Sequence, residues 1–143
     1  FSFDNDTEKT VNVYPTDIVG YTDGDYICYS CKDCSARALK NNEPVSVTLK
    51  KTEFDLLTFA KITDGFAAIG LTNKFNCGGT FDNLQKTDSG YSMHVKASGE
   101  LLLYCNKNIK SVISADGKLP FSSENGFVKI DIEKACDIEI VLA

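Results

Sequence analysis

The stretch Cys28-Tyr29-Ser30-Cys31-Lys32-Asp33-Cys34 carries the side chains best suited to chemistry, because it gathers three of the six cysteines into one short segment. Closely spaced cysteines act as metal or iron–sulfur ligands, as redox dithiols or as structural disulfides. Each use makes a different demand on the rest of the chain. A ferredoxin-type cluster needs a fourth cysteine at a fixed offset after C-x-x-C-x-x-C, and Ala38 holds that place. A structural zinc site needs four thiolate or imidazole ligands, whereas Cys77, Cys105 and Cys136 stand singly and the sole histidine is His94. No metal and no cofactor is therefore expected. A redox C-x-x-C pair works at a helix N-terminus, where partial positive charge lowers the pKa of the attacking thiol. The residues from Ser35 to Lys40 allow only about two helical turns before Asn41-Asn42-Glu43-Pro44 ends them.

Disulfides are the reading that remains. An even number of cysteines in a chain with extracellular marks is ordinarily paired, so Cys28, Cys31, Cys34, Cys77, Cys105 and Cys136 are all expected in bridges. The pairings favoured are Cys77 with Cys105, which flank a candidate hairpin, and Cys136 with a member of the cluster.

Composition sets wider bounds. Of 143 residues, 43% are hydrophobic and 24% charged, as in an ordinary globular domain, and no apolar run approaches a membrane span. A net charge of −5, from 20 acidic against 15 basic residues, leaves no basic face for a nucleic-acid backbone. A chain that begins at Phe1 without methionine suggests a processed product, and Asn5-Asp6-Thr7 matches the N-glycosylation acceptor pattern. Both point to a secreted, extracellular protein. The acidic alternation Asp4, Asp6, Glu8 lacks the glycine of a calcium loop and is expected to be a solvated edge.

The elements that would position these groups are strands. Val45, Val47 and Leu49 alternate with Ser46, Thr48 and Lys50, the period of a sheet with one wet face. Phe54–Phe59 changes phase midway, which predicts a bulge or a strand buried on both faces, and Asp64-Gly65 predicts a hairpin turn joining it to Phe66–Leu71. Phe81–Lys86 is expected to make one helical turn, and Ser98-Gly99 to join Tyr91–Ala97 to Leu101–Cys105. Asn125-Gly126 introduces Val128–Glu133, where apolar and charged residues alternate strictly. About nine or ten short strands and no long amphipathic helix predict an all-β, disulfide-stabilised antiparallel sandwich of jelly-roll or Greek-key type, in one domain over residues 1–143.

No catalytic constellation is complete. His94 shares a strand face with Ser92 and Lys96, and no Gly-x-Ser-x-Gly elbow accompanies it. The function expected is a secreted or cell-surface non-enzymatic interaction module that binds a protein or cell-surface glycan, as an adhesion protein does. The tyrosine-rich segment Tyr14, Tyr21, Tyr26 and Tyr29 is its expected contact surface, because tyrosine offers rigid area with a polar tip. The alternatives are a carbohydrate-binding sandwich module and a small secreted thiol oxidoreductase using Cys31 and Cys34.

Overall fold

The computed structural model describes residues 8–143. Every sheet in it is antiparallel, and the helical content is two short 3-10 turns, Pro15–Asp17 and Cys77–Gly79. The chain forms two compact units that divide after Ile62.

The first unit holds five strands: β1 (Glu8–Val13), β2 (Tyr26–Ser30), β3 (Ser35–Leu39), β4 (Val45–Lys50) and β5 (Leu57–Lys61). β1 pairs with β4, and β2 is the centre of a sheet ordered β3-β2-β5. The alternation in β4 reads out as expected, with Val45, Val47 and Leu49 buried and Ser46, Thr48 and Lys50 exposed. In β2 every residue is buried, as its unbroken apolar run requires of a central strand covered on both faces. Cys28 packs with Leu39, Val45, Val47 and Leu49, and Val13, Leu57 and Phe59 close the edge of that cluster.

The second unit holds nine: β6 (Phe66–Leu71), β7 (Phe81–Lys86), β8 (Gly90–Val95), β9 (Gly99–Cys105), β10 (Ile109–Ser114), β11 (Gly117–Leu119), β12 (Phe121–Glu124), β13 (Phe127–Ile132) and β14 (Cys136–Leu142). They make a five-stranded sheet, β11-β10-β14-β8-β7, and a four-stranded sheet, β12-β13-β9-β6. One buried cluster draws on both: Leu101, Leu103, Val128 and Ile130 come from the smaller sheet, and Tyr91, Val95, Val112 and Ile140 from the larger. The two sheets thus share a core.

Several expectations are corrected. The described residues form fourteen strands in place of nine or ten, and two of the additional ones are Ser35–Leu39 and Phe81–Lys86, expected as helical turns and found extended. Cross-strand partners explain both: β3 completes the ladder of β2, and β7 that of β8. The expected turn at Asp64-Gly65 forms, with φ of 54° and 81° and with Thr63 and Phe66 exchanging backbone hydrogen bonds of 2.8 and 2.9 Å, but the pairing stops there, since β5 bonds to β2 while β6 bonds to β9. Nor does Ser98-Gly99 make a hairpin, for β8 and β9 lie in different sheets. β5 keeps an even register and is half-buried along most of its length, whereas register shifts fall in β6 between Ala68 and Gly70, in β7 between Asp82 and Gln85 and in β10 between Ile109 and Ser111. Asn125-Gly126 behaves as its sequence demands: both residues have positive φ, 51° and 84°, and join β12 to β13 by a two-residue turn.

None of the six cysteines is in a disulfide, which corrects the expected framework. The strand geometry gives the reason for Cys77 and Cys105. Cys105 stands opposite Phe66 on β6, whereas the Cys77 carbonyl lies against Gly70. Those two positions on β6 are roughly 13 Å apart at ~3.3 Å per residue, beyond the ~7 Å that a disulfide spans between Cα atoms. Cys77 instead donates its thiol hydrogen to the Lys74 carbonyl, 2.9 Å away. Cys136 is the first residue of β14, opposite Val95.

Candidate functional site

Three places in the structure hold the groups that could do chemistry. The first is the cysteine segment. Cys28 sits in the middle of β2 at 2% exposure and behaves as a small apolar side chain. Burial first, and then the nearby Asp55 charge, push its pKa up to about 12, against a smaller lowering by Arg37. Such a thiol is inert at neutral pH. Cys31 and Cys34 begin and end the turn between β2 and β3, closed by the pair Ser30 and Ser35. The turn is tied down by Asp55, whose carboxylate accepts from Ser30 Oγ at 2.6 Å and from the Lys32 amide at 3.0 Å. A C-x-x-C at a hairpin tip lacks the helix N-terminus on which the dithiol of a catalytic thiol oxidoreductase relies for turnover.

The second place is the outer face of the larger sheet of the second unit. His94 lies beside Asp137 on β14, Nδ1 to Oδ1 2.7 Å, and beside Asp82 on β7. Asp82 is in turn paired with Lys96 at 3.3 Å. The imidazole is oriented, and the half-exposed site contains no hydrogen-bonded nucleophile. Among the described residues, no three of His, Cys, Asp and Glu come together as a metal site.

The third place escaped the sequence reading. In the second unit a cleft of about 490 Å³ opens between the segment Tyr104–Ile109 and the hairpin β12–β13, a size typical of small-molecule sites. The segment is pinned by its backbone: Cys105 N–H donates to the Gly126 carbonyl at 2.8 Å and Asn106 N–H to the Gly65 carbonyl at 2.9 Å. Both glycines permit this close approach. A Cβ on Gly65 would collide with the Asn106 carboxamide, and one on Gly126 would stand 2.7 Å from a carbon of the Tyr104 ring. Tyr104 is held from its other side by Phe127, with ring centroids 5.4 Å apart and edge-on geometry. With the backbone satisfied, the carboxamides of Asn106, Asn108 and Asn125 and the Tyr104 hydroxyl make no hydrogen bond among the described residues. They line a cleft whose other walls include Ser123 and Phe121. Amides and hydroxyls beside an aromatic edge, with the one cation of Lys107, suit a polyhydroxy ligand. The signal in sequence was faint, since Asn108 read as part of a basic run and Asn125 as a turn residue.

The tyrosines expected to form a contact surface mostly do other work. Tyr26 and Tyr29 are 6% and 4% exposed, which leaves no ring face for a partner. Tyr26 donates its hydroxyl to the Thr22 carbonyl at 2.9 Å and stacks with half-buried Tyr21 at 5.7 Å. Tyr14 is half-buried and its amide donates to Asp17 at the start of the first 3-10 turn. Asn5, with Asp4 and Asp6, lies outside the described residues.

Fold and cleft together define an all-antiparallel β protein with a polar cleft in its second unit. Residues 3–132 match the family described as "Raffinose synthase or seed imbibition protein Sip1", and the chain belongs to that family. It is 34% identical over 93 residues to stachyose synthase of Pisum sativum, covering 60% of this chain and 11% of that protein. It is 38% identical over 96 residues to "Probable galactinol--sucrose galactosyltransferase 4" of Arabidopsis thaliana, with coverages of 60% and 11%. Against the galactinol–sucrose galactosyltransferase of Oryza sativa subsp. japonica it is 27% identical over 106 residues, 66% of this chain and 14% of that protein. The chain thus spans roughly an eighth of the curated relatives it matches, between 11% and 14% of their length.

This overturns the functional expectation. The relatives are named as a synthase and as galactosyltransferases, which contradicts the expectation of a non-enzymatic module that binds proteins or cell surfaces. The adhesion reading, and that of a free-standing carbohydrate-binding or thiol-oxidoreductase module, fall with it.

Proposed function

We propose that the protein carrying this chain is a galactosyltransferase that moves a galactosyl group from galactinol to a sucrose acceptor, and that this chain is a β-rich part of that enzyme. The observation that carries the reading is the family match over residues 3–132, supported by relatives named for that transfer. Within the chain, the amide-lined cleft of the second unit is the feature best suited to meet a sugar, through Asn106, Asn108, Asn125 and the Tyr104 hydroxyl. Its role would be to bind and orient hydroxyl groups while bond cleavage takes place on other parts of the enzyme. We read the second unit further as a two-sheet sandwich with Greek-key connections, a reading supported by the shared core and by a chain that crosses between the sheets five times, at β6–β7, β8–β9, β9–β10, β11–β12 and β13–β14.

The test is an assay of the full-length gene product with galactinol and sucrose, the new trisaccharide being followed by chromatography. Transfer is expected from the full-length protein. No transfer from that protein to any galactosyl acceptor would overturn the assignment. Asn108→Ala removes one neutral hydrogen bond, worth about 1 kcal/mol, and should raise KM about fivefold with kcat kept. Unchanged KM for both sugars would remove the cleft from the substrate path and leave the enzymatic assignment standing.

A further inference from the structure

Cys31 and Cys34 close a turn whose ends the β2–β3 pairing already brings together. Ser30 and Ser35 are direct cross-strand partners, so the cysteines one position further out begin and end a four-residue loop. The ends of a tight turn lie within about 7 Å between Cα atoms, inside the range that a disulfide spans. The Cys34 side chain leans the right way: its Sγ is 3.5 Å from the carbonyl oxygen of Cys31. Cys34 also holds the left-handed backbone position of the turn, at φ 49°. Glycine or asparagine is the residue that such a position favours, and any other pays about 1 kcal/mol. The thiol is therefore not explained by the needs of the turn.

Access separates this pair from the three buried cysteines, and Cys136, as half-exposed as Cys31, stands without a neighbouring cysteine in sequence. Cys34 is exposed and Cys31 half-exposed, whereas Cys28, Cys77 and Cys105 are 2%, 0% and 3% exposed. Cys136 is partly covered at the start of β14.

We propose that Cys31 and Cys34 are a modification site at which a hydroperoxide closes a disulfide across the β2–β3 turn. The Cys34 sulfur attacks one peroxide oxygen: an S–O bond forms, the O–O bond breaks, and hydroxide leaves and takes up the thiol proton as water. The Cys31 sulfur then attacks the Cys34 sulfur. An S–S bond forms, the S–O bond breaks, and a second water carries off the Cys31 proton. Two thiols are oxidised and one hydrogen peroxide is reduced to two waters. The product fixes the turn whose amide and hydroxyl groups hold Asp55.

The experiment treats the chain with a small excess of hydrogen peroxide, blocks remaining thiols with N-ethylmaleimide and maps the peptides by mass spectrometry. The expected product is one peptide carrying a Cys31–Cys34 bond, reversed by dithiothreitol, while Cys28, Cys77 and Cys105 take up the label only after unfolding. Cys34→Gly suits the left-handed position and should fold at least as well as the parent, with the bond lost. Cys34→Ser serves as the size-matched control. Sulfinic acid at Cys34 without a bond to Cys31, dimers linked through Cys34, or oxidation spread over all six cysteines would each overturn the proposal. The result does not depend on the galactosyltransferase reading.

Discussion

At the scale of single residues, burial decides what each polar or reactive group can do. Cys28 is the sharpest case, since its pKa of about 12 stands above the 9.0 of an exposed thiol. Between those values the unfolded chain has lost a proton that the folded chain keeps, so stability is fully present below the lower value and falls as pH rises through the window. Urea titrations at roughly pH 8 and pH 11 should therefore show a smaller loss of stability in Cys28→Ala than in the parent; equal losses would mean that Cys28 ionises as readily folded as unfolded. His94 was legible as a surface residue from its place in the alternation, and it lies on the outer face as that pattern requires. That Asp137 and Asp82 would flank it was not legible, because both arrive through strand pairings with distant segments. The asparagines of the cleft were missed for the same reason.

At the scale of elements, strands were readable where their residues alternate and unreadable where a partner imposes the extended form. β4 and β13 carry strict apolar and polar alternation and form as expected. β3 and β7 carry little, with only Ala36 and Leu39 covered in one and only Phe81 in the other, and they are extended because β2 and β8 offer an edge. The bulge in β6 shows how tightly such pairings are specified. Gly70 has φ of 102°, and a Cβ there would run into the Cys77 carbonyl and the Thr80 hydroxyl, which itself accepts from the Leu71 amide at 2.8 Å. Gly70→Ala should cost about 3 kcal/mol, from overpacking and left-handed strain together, read as a lower denaturant midpoint with an unchanged m-value. A loss below about 0.5 kcal/mol would mean that the bulge relaxes at no expense.

At the scale of the whole molecule, the chain divides into two compact units, and the core cluster of the second contains no residue from before Thr63. Leu103→Ala removes a fully buried side chain from that core and should cost the second unit about 3 kcal/mol. Amide exchange should then quicken in β9, β13 and β14 and much less in β2; equal acceleration in both units would show that they unfold as one. The sequence by itself determined the all-β character, the buried faces of the alternating strands and the Asn125-Gly126 hairpin, since each depends on residues adjacent in the chain. Only the tertiary structure decided that β5 and β6 part into different sheets, that the cysteines stay outside disulfides, and that two distant segments meet as a polar cleft. Pairing and convergence of that kind rest on many small burial terms summed between residues far apart in sequence, and no local pattern records that sum.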